Sequence, residues 1–354
     1  MNGRELFGKL PDGRTVFRYE IRNQTGMMAR ILTWGATLME WSTPDRQGDM
    51  RDIVLGYPDL SAYVNSLEPL GAVAGRVVGR IPGGRIEIAG KEYGLVLNDS
   101  PHHLNGGLAG LGKRLWDVVH YDGRELRLRY VSADGEEGYP GTLDIEAVYR
   151  LSDRDELSIS FEAETDGATP LSVSPRVFFN LGGEDRLHVE DHRLFLFASD
   201  VLPSKACLQF SGAPAPRTPH AHDFPRGGTL DEVIRTRSCR RGDLYKVNRT
   251  RAEDLVPAAR LTHPASGRVV HVATTQPCVQ VCTGAEWRDT HAGKCGKPYP
   301  PHSGVCILSR GYPNGGRNNP LGDLLLTPGA RYRHQTVFAA GLCPEGEAAP
   351  APTP

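Results

Sequence analysis

The chain has 354 residues, 39% of them hydrophobic and 23% charged, and a formal net charge of −1. That balance describes a folded globular chain and gives no basic footprint for nucleic acid or an anionic membrane. No apolar run approaches the roughly 18 residues that a membrane-spanning helix needs.

The opening residues, "MNGRELFGKLPDGRTVFRYEI", contain no apolar core of signal-peptide length, so a cytoplasmic location is expected. The first periodic stretch is helical: "DLSAYVNSL" places Leu60, Tyr63, Val64 and Leu67 at the i, i+3, i+4, i+7 spacing of one helix face. From there on the period is two. "RIEIAGKEY" (85–93) sets Ile86 and Ile88 on one face and turns at Ala89-Gly90. "ELRLRYV" (125–131), "LDIEAVYRL" (143–151), "ELSISFEAE" (156–164) and "RVVHVA" (268–273) alternate in the same way. The 41 glycines and 27 prolines punctuate these runs at short intervals. Many short alternating strands with frequent turns predict an all-β sandwich or barrel, read as one large domain over residues 4–342. "CPEGEAAPAPTP" (343–354) lacks apolar anchors and is expected to be a disordered tail.

The seven cysteines all fall between Cys207 and Cys343, and an odd number makes a poor disulfide framework. Cys278 and Cys282 share a strand face, with His291 and Cys295 nearby; buried or idle thiols are the favoured reading over a zinc site. "DGEEGYPG" offers the paired carboxylates Glu136 and Glu137, but its glycine-rich setting reads as a structural loop. The segment "VSPRVFFNLGG" (173–183) is core-bound by its apolar residues, yet carries Arg176, a charge that cannot be neutralised near neutral pH.

Several stretches occur in one order: "WGATLMEWSTPDRQGDMRDIVLGYPDLSAYV" (34–64), "GAVAGRVVGRIPGGRIEIAGKEYGL" (71–95), "HHLNGGLAGLGKRLWDV" (102–118), "DGEEGYPGTL" (134–143), "TPLSVSPRVFFNLGG" (169–183), "HPASGRVVHVATTQPCVQVCTG" (263–284), "HSGVCILSRGYP" (302–313) and "LTPGARYRHQTVF" (326–338). Together they resemble the galactose mutarotase (aldose 1-epimerase) family over nearly the whole chain. The resemblance implies a β-supersandwich with a sugar pocket on one face, a small-molecule carbohydrate as ligand, and neither metal nor organic cofactor. It also implies interconversion of the anomers of a free aldose: a glutamate takes the proton of the anomeric hydroxyl while a histidine protonates the ring oxygen.

Carried over position by position, the resemblance divides. In "GRVVGRI" the sugar-binding arginine is Arg80, but the family's neighbouring asparagine is Gly79. In "LNGG" the substrate-binding histidine is replaced by Asn105, and in "PRVFFNL" the acid histidine is replaced by Arg176. In "GVCILSR" the basic glutamate becomes Leu308 and the following glutamine Arg310. Asp243 falls near the position of a sugar-binding aspartate, and Gln280 keeps that of a sugar-binding glutamine. The substrate-binding set implied is Arg80, Asn105, Arg176, Asp243 and Gln280.

The frame is kept and the proton-transfer pair is not. Each positioned acid or base is worth ~10²–10⁴ in rate, so ordinary mutarotation is expected to be crippled. Three readings remain. The site is repurposed toward an acidic or phosphorylated sugar-like ligand, since Arg80, Arg176 and Arg310 would face only Asp243 and guanidinium pairs well with carboxylate or phosphate. Alternatively the chain is a sugar-binding pseudoenzyme. Or displaced groups such as His103, His302, Tyr299 or Asp243 carry the inherited reaction. Against these stand structural readings: Arg176 pairing with Asp243, a solvated Arg310, and His102 and His103 as ordinary loop histidines.

Overall fold

The computed structural model describes residues 3–202, 204–205, 209–210, 215–216, 228–236, 243–311 and 324–344. Three larger antiparallel sheets organise them. A five-stranded meander runs through Arg4–Lys9, Thr15–Arg22, Met28–Leu32, Thr37–Pro44 and Met50–Asp52. A nine-stranded sheet has the spatial order Asp117–Tyr121, Glu125–Ser132, Leu143–Leu151, Glu156–Thr165, Tyr332–Leu342, Arg268–Thr274, Val256–Thr262, Arg193–Leu196 and Gly228–Thr229. A six-stranded sheet runs Phe178–Phe179, Val305–Arg310, Cys278–Cys282, Asp243–Val247, Ala198–Leu202 and Ala215–Pro216. The all-β expectation is met, and the alternating stretches at 125–131, 143–151, 156–164 and 268–273 are strands of the nine-stranded sheet.

Alternation explains how the layers close. Leu143, Ile145, Ala147, Tyr149 and Leu151 are buried while the residues between them are not, so one face of the sheet is apolar and the other is wet. One aromatic row ties the three sheets. Phe179 of the six-stranded sheet meets Trp41 of the meander edge-on at 6.3 Å between ring centroids, and Phe338 of the nine-stranded sheet at 5.1 Å. Both separations suit the edge-to-face preference of aromatic rings. The hairpin at 85–94 turns at Ala89 (φ 51°) and Gly90 (φ 80°), the two positive-φ positions that a tight two-residue hairpin requires.

The predicted helix forms as Leu60–Asn65, capped by Asp59, whose carboxylate accepts the Ala62 N–H at 2.9 Å. Leu67 does not belong to its buried face. The helix ends before it, and Leu67 is 77% exposed. The segment 173–183 is not one strand but two two-residue strands, Ser174–Pro175 and Phe178–Phe179, with Arg176 between them. Of the expected tail, Cys343 is buried and its N–H donates to the Gly267 carbonyl at 2.8 Å, whereas residues 345–354 lie outside the described residues.

Buried charge is handled by dense hydrogen bonding. The Arg76 guanidinium donates to the carbonyls of Ser132, Ala133, Pro140 and Gly141 and to the hydroxyls of Ser132 and Thr169, all at 2.8–3.1 Å. His334 is buried neutral, stacked on Phe161, with the hydroxyls of Thr275 and Thr336 each 3.2 Å from a ring nitrogen. Burial, with repulsion from Arg249 added, pushes its pKa down to about 3. His263 is pushed down to about 4 by burial first and then by His192. A histidine whose folded pKa lies below its unfolded value leaves stability intact above the unfolded pKa and erodes it as pH falls toward the folded one. The protein is therefore expected to keep its stability above about pH 7 and to lose a few kcal/mol between about pH 6.5 and 4. Urea midpoints across that range would measure this. His334→Asn should lessen the slope, and an unchanged slope would remove His334 from the account.

Candidate functional site

Arg176 is fixed by its backbone before its side chain is considered. Its N–H donates to the Ala72 carbonyl at 3.0 Å, and its carbonyl accepts the Gly71 N–H at 2.9 Å. The guanidinium passes 5.0 Å over the Phe178 ring and donates through Nη2 to Glu68 Oε2 at 2.7 Å. Nη1 is buried without a hydrogen-bond partner. Burial alone would lower the Arg176 pKa; Glu68 offsets that, and the balance is upward. Arg176 thus has a carboxylate partner, Glu68, that the sequence did not announce.

Glu68 is itself held in place. Its N–H donates to Ser66 Oγ at 2.9 Å, and its carbonyl lies 3.0 Å from Ser66 Oγ and 3.1 Å from Tyr57 OH. Asp289 binds both hydroxyls, Tyr57 at 2.8 Å and Ser66 at very short range, and its other oxygen accepts the His291 N–H at 3.0 Å. Burial works to raise the Asp289 pKa, but these donors outweigh it and hold the carboxyl far below the usual range. Asp289, 223 residues beyond Ser66 in sequence, therefore anchors the loop that delivers Glu68.

Beside this pair lies a cleft of about 260 Å³. Its polar lining is Glu68, Asn98, Asn105, Lys113 and Arg176; its apolar lining includes Leu67, Pro69, Val73, Ala74, Leu104 and Leu108. No histidine is among its described lining residues. Asn98 clamps Leu104, accepting its N–H at 2.7 Å and donating to its carbonyl at 2.9 Å. Asn105 sits at φ 51° and accepts the Gly79 N–H through Oδ1 at 2.8 Å. Asparagine tolerates that backbone region better than most residues.

Gly79 leads to the rest of the expected set. A Cβ at position 79 would lie 2.0 Å from Nη1 of Arg310 and 2.5 Å from its Cζ. The guanidinium of Arg310 occupies the space a side chain at 79 would need. Arg310 is 2% exposed, which rules out a solvated surface charge, and it donates to Gln280 Oε1 at 3.2 Å. Burial pulls its pKa down to about 10, so it stays charged near neutrality. Gln280 and Leu308 are register partners in adjacent strands, and Leu308 is buried in an apolar cluster with Phe178 and Cys306. Leu308 gives no proton-accepting group.

Arg80 pairs closely with Asp99 through Nε and is not among the described cleft-lining residues. Asp243 begins the strand Asp243–Val247 opposite Val281, but its side chain lies outside the described residues, and so does the expected pairing with Arg176. Of the five expected binding residues, Asn105 and Arg176 line the cleft, Gln280 is linked to it through Arg310, Gly79 and Asn105, Arg80 pairs with Asp99, and the Asp243 side chain lies outside the described residues.

Of the displaced-group candidates, His103, Tyr299 and His302 are not among the described lining residues of the cleft. His103 is fully buried. Its Nδ1 lies 2.6 Å from the Val96 carbonyl, which can only accept, so Nδ1 carries the proton and Nε2 accepts from Tyr139 OH at 2.7 Å. Burial lowers its pKa further. Tyr299 OH lies 3.0 Å from the Gly56 carbonyl and 3.1 Å from Glu184, and His302 Nδ1 lies 2.8 Å from the Thr283 hydroxyl. His102 accepts from the Gly83 N–H at 3.4 Å. Glu136 and Glu137 are structural, as expected. Glu136 pairs with Arg114 at 2.9 Å, and Glu137 accepts the N–H groups of Leu108 and Ala109 at 2.9 and 3.1 Å.

Cys278 and Cys282 face Arg310 and Cys306 in the register, with no cluster of metal-type ligands around them among the described residues. The cluster that does form is Asp191, His192 and His263. His192 Nε2 accepts the Leu181 N–H at 2.9 Å, and His263 Nδ1 accepts the Ser266 N–H at 3.2 Å. Their other nitrogens therefore carry hydrogens, aimed at Asp191 over 2.9 and 3.2 Å. Arg186 donates to the same carboxylate at 3.1 Å. Hydrogen bonds, first of all from His192, hold the Asp191 carboxyl well below its usual pKa. The tautomers and the nearby guanidinium make this a hydrogen-bonded brace, not a donor set for a cation.

The strand-built frame, with its cleft where the segments of Ala72 and Arg176 pair, is shared with sugar mutarotases, and the chain belongs to the aldose 1-epimerase family, whose sequence model matches residues 18–339. A galactose mutarotase of Mus musculus is 36% identical over 337 residues, covering 95% of this chain and 97% of that one. The crystal structure of an aldose epimerase homologue from C. elegans superposes with a TM-score of 0.84 at 26% identity, over 92% of this chain and 98% of that one. A galactose 1-epimerase from Lactobacillus acidophilus has the same fold, with a TM-score of 0.81 at 23% identity, over 96% of this chain and 98% of that one.

The interlock of Gly79 with Arg310 gives a stability test. Gly79→Asn places a side chain both against the guanidinium and on backbone at φ 92°, and is expected to destabilise by about 1–3 kcal/mol. Adding Arg310→Gln should recover the part due to the guanidinium and leave the backbone part. Denaturant unfolding of the two single variants and the double variant measures the coupling, and additive effects would contradict it.

Proposed function

We propose that this chain binds a sugar or sugar-derived ligand in the cleft beside Arg176, prefers ligands carrying a carboxylate or phosphate, and anomerises free aldoses only feebly. The carrying observation is the ion pair of Arg176 with Glu68 at 2.7 Å, placed where the resemblance implies a proton-donating histidine. A guanidinium cannot surrender a proton near neutral pH, and Leu308 cannot accept one. Glu68, the carboxylate of the described lining, is engaged by Arg176.

The charge balance supports the ligand class. Arg176 and Lys113 face one carboxylate, Glu68, in the described cleft lining. Lys113 reaches the Ser66 carbonyl at 3.3 Å, a long contact for a hydrogen bond. The backbone N–H groups of Leu108 and Ala109, at the glycine-rich loop, already hold Glu137. Anion recognition therefore falls to side chains.

Polarimetry of freshly dissolved α-glucose and α-galactose tests the catalytic half. The expected rate lies within roughly a few-fold of the spontaneous one, since two positioned groups worth ~10²–10⁴ each are missing; strong acceleration would overturn it. Titration calorimetry with glucose, glucuronate and glucose 6-phosphate tests the ligand half. At least one anionic ligand is expected to bind about tenfold or more tighter than glucose. Arg176→Met should abolish that preference, and tighter binding of glucose would refute it.

A further inference from the structure

Two of the most exposed large apolar side chains of the described residues sit at the same cleft. Leu67 is 77% exposed and Leu108 is 64% exposed, and both line it. A lone exposed leucine needs no explanation. Here two separate loops each bring one to the same cleft, and the lining between them continues apolar through Pro69, Val73 and Ala74.

Neither leucine is on slack chain. Leu67 lies between Ser66, held by Asp289 and Tyr57, and Glu68, paired with Arg176. The Leu108 N–H is fixed on the Glu137 carboxylate at 2.9 Å. Apolar groups held out toward water on braced backbone are preorganised to cover an apolar partner, because little ordering entropy remains to be lost on contact. The same cleft carries Arg176 and Lys113 against Glu68, and these cations hold Glu68 and Ser66, the two residues that flank Leu67. The lining is thus amphipathic, with cationic groups next to a leucine.

We infer that the ligand is an amphiphilic sugar derivative, with an anionic pyranose head at Arg176 and Lys113 and an apolar substituent covered by Leu67 and Leu108. The inference rests on the reading of the cleft as a sugar site and adds the class of substituent. A glycoside fits that description and has no free anomeric hydroxyl, so a site without a proton-transfer pair is chemically matched to it.

Calorimetric titration of the full chain with phenyl β-D-glucuronide, phenyl β-D-glucoside, glucuronate and glucose separates head from substituent. Phenyl glucuronide is expected to bind roughly tenfold or more tighter than glucuronate, from the apolar area covered. In the variant Leu67→Ser/Leu108→Ser, the ratio of the two affinities should fall close to one. Both side chains are exposed, so its thermal melt should match that of the parent and report folding independently. A phenyl glucuronide no tighter than glucuronate, or a ratio that survives the double variant, overturns the inference and leaves the anionic-sugar reading standing. If phenyl glucoside matches phenyl glucuronide and both exceed the free sugars, the apolar rim stands and the preference for an acidic head fails. Binding of none of the four defeats both.

Discussion

A guanidinium stays charged wherever it is placed, so a fold that buries one must bring acceptors to it. That constraint organises this molecule. Arg76 gathers four backbone carbonyls and two hydroxyls from three segments. Arg268 reaches the carbonyls of Thr43, Leu181 and Asp49 at 2.8–3.3 Å. Arg249 binds those of Ala252, Thr274, Thr275 and Gln276. Each arginine acts as a junction between loops that the strand ladders alone would leave unconnected. Truncating such a group would leave several buried acceptors unsatisfied, each at a cost of about 1–3 kcal/mol.

The site applies the same rule for a different end. Arg176 is met by Glu68, on a short loop after a capped helix, with Asp289 behind that loop. Arg310 is met by Gln280 and by the absence of a side chain at Gly79. The positions around both guanidinium groups fit them in volume and hydrogen bonding, so the two arginines are part of the packing of the site.

The layered fold was legible because period-two alternation, glycine turns and one capped helix are local signals. Glu156–Thr165 and Leu143–Leu151 could be read directly. The site was legible only as positions in motifs. Arg176 was found that way, and Glu68 was not, since 108 residues separate the two and nothing in "NSLEPLG" marks a carboxylate as a partner. Leu67 was assigned to the helix by its spacing, whereas the helix stops at Asn65. His103 lies two residues before Asn105 in sequence, which by strand parity sets both on one face. Parity says which face a residue takes and nothing about what lies over that face, which here is Tyr139 and the Val96 carbonyl.

The contact between Gly79 and Arg310 also makes the two positions one unit of packing. A guanidinium fills the room beside position 79, where the backbone sits at φ 92°, so the volume left empty at one residue is what lets the other be large. A change of size at either is felt at both.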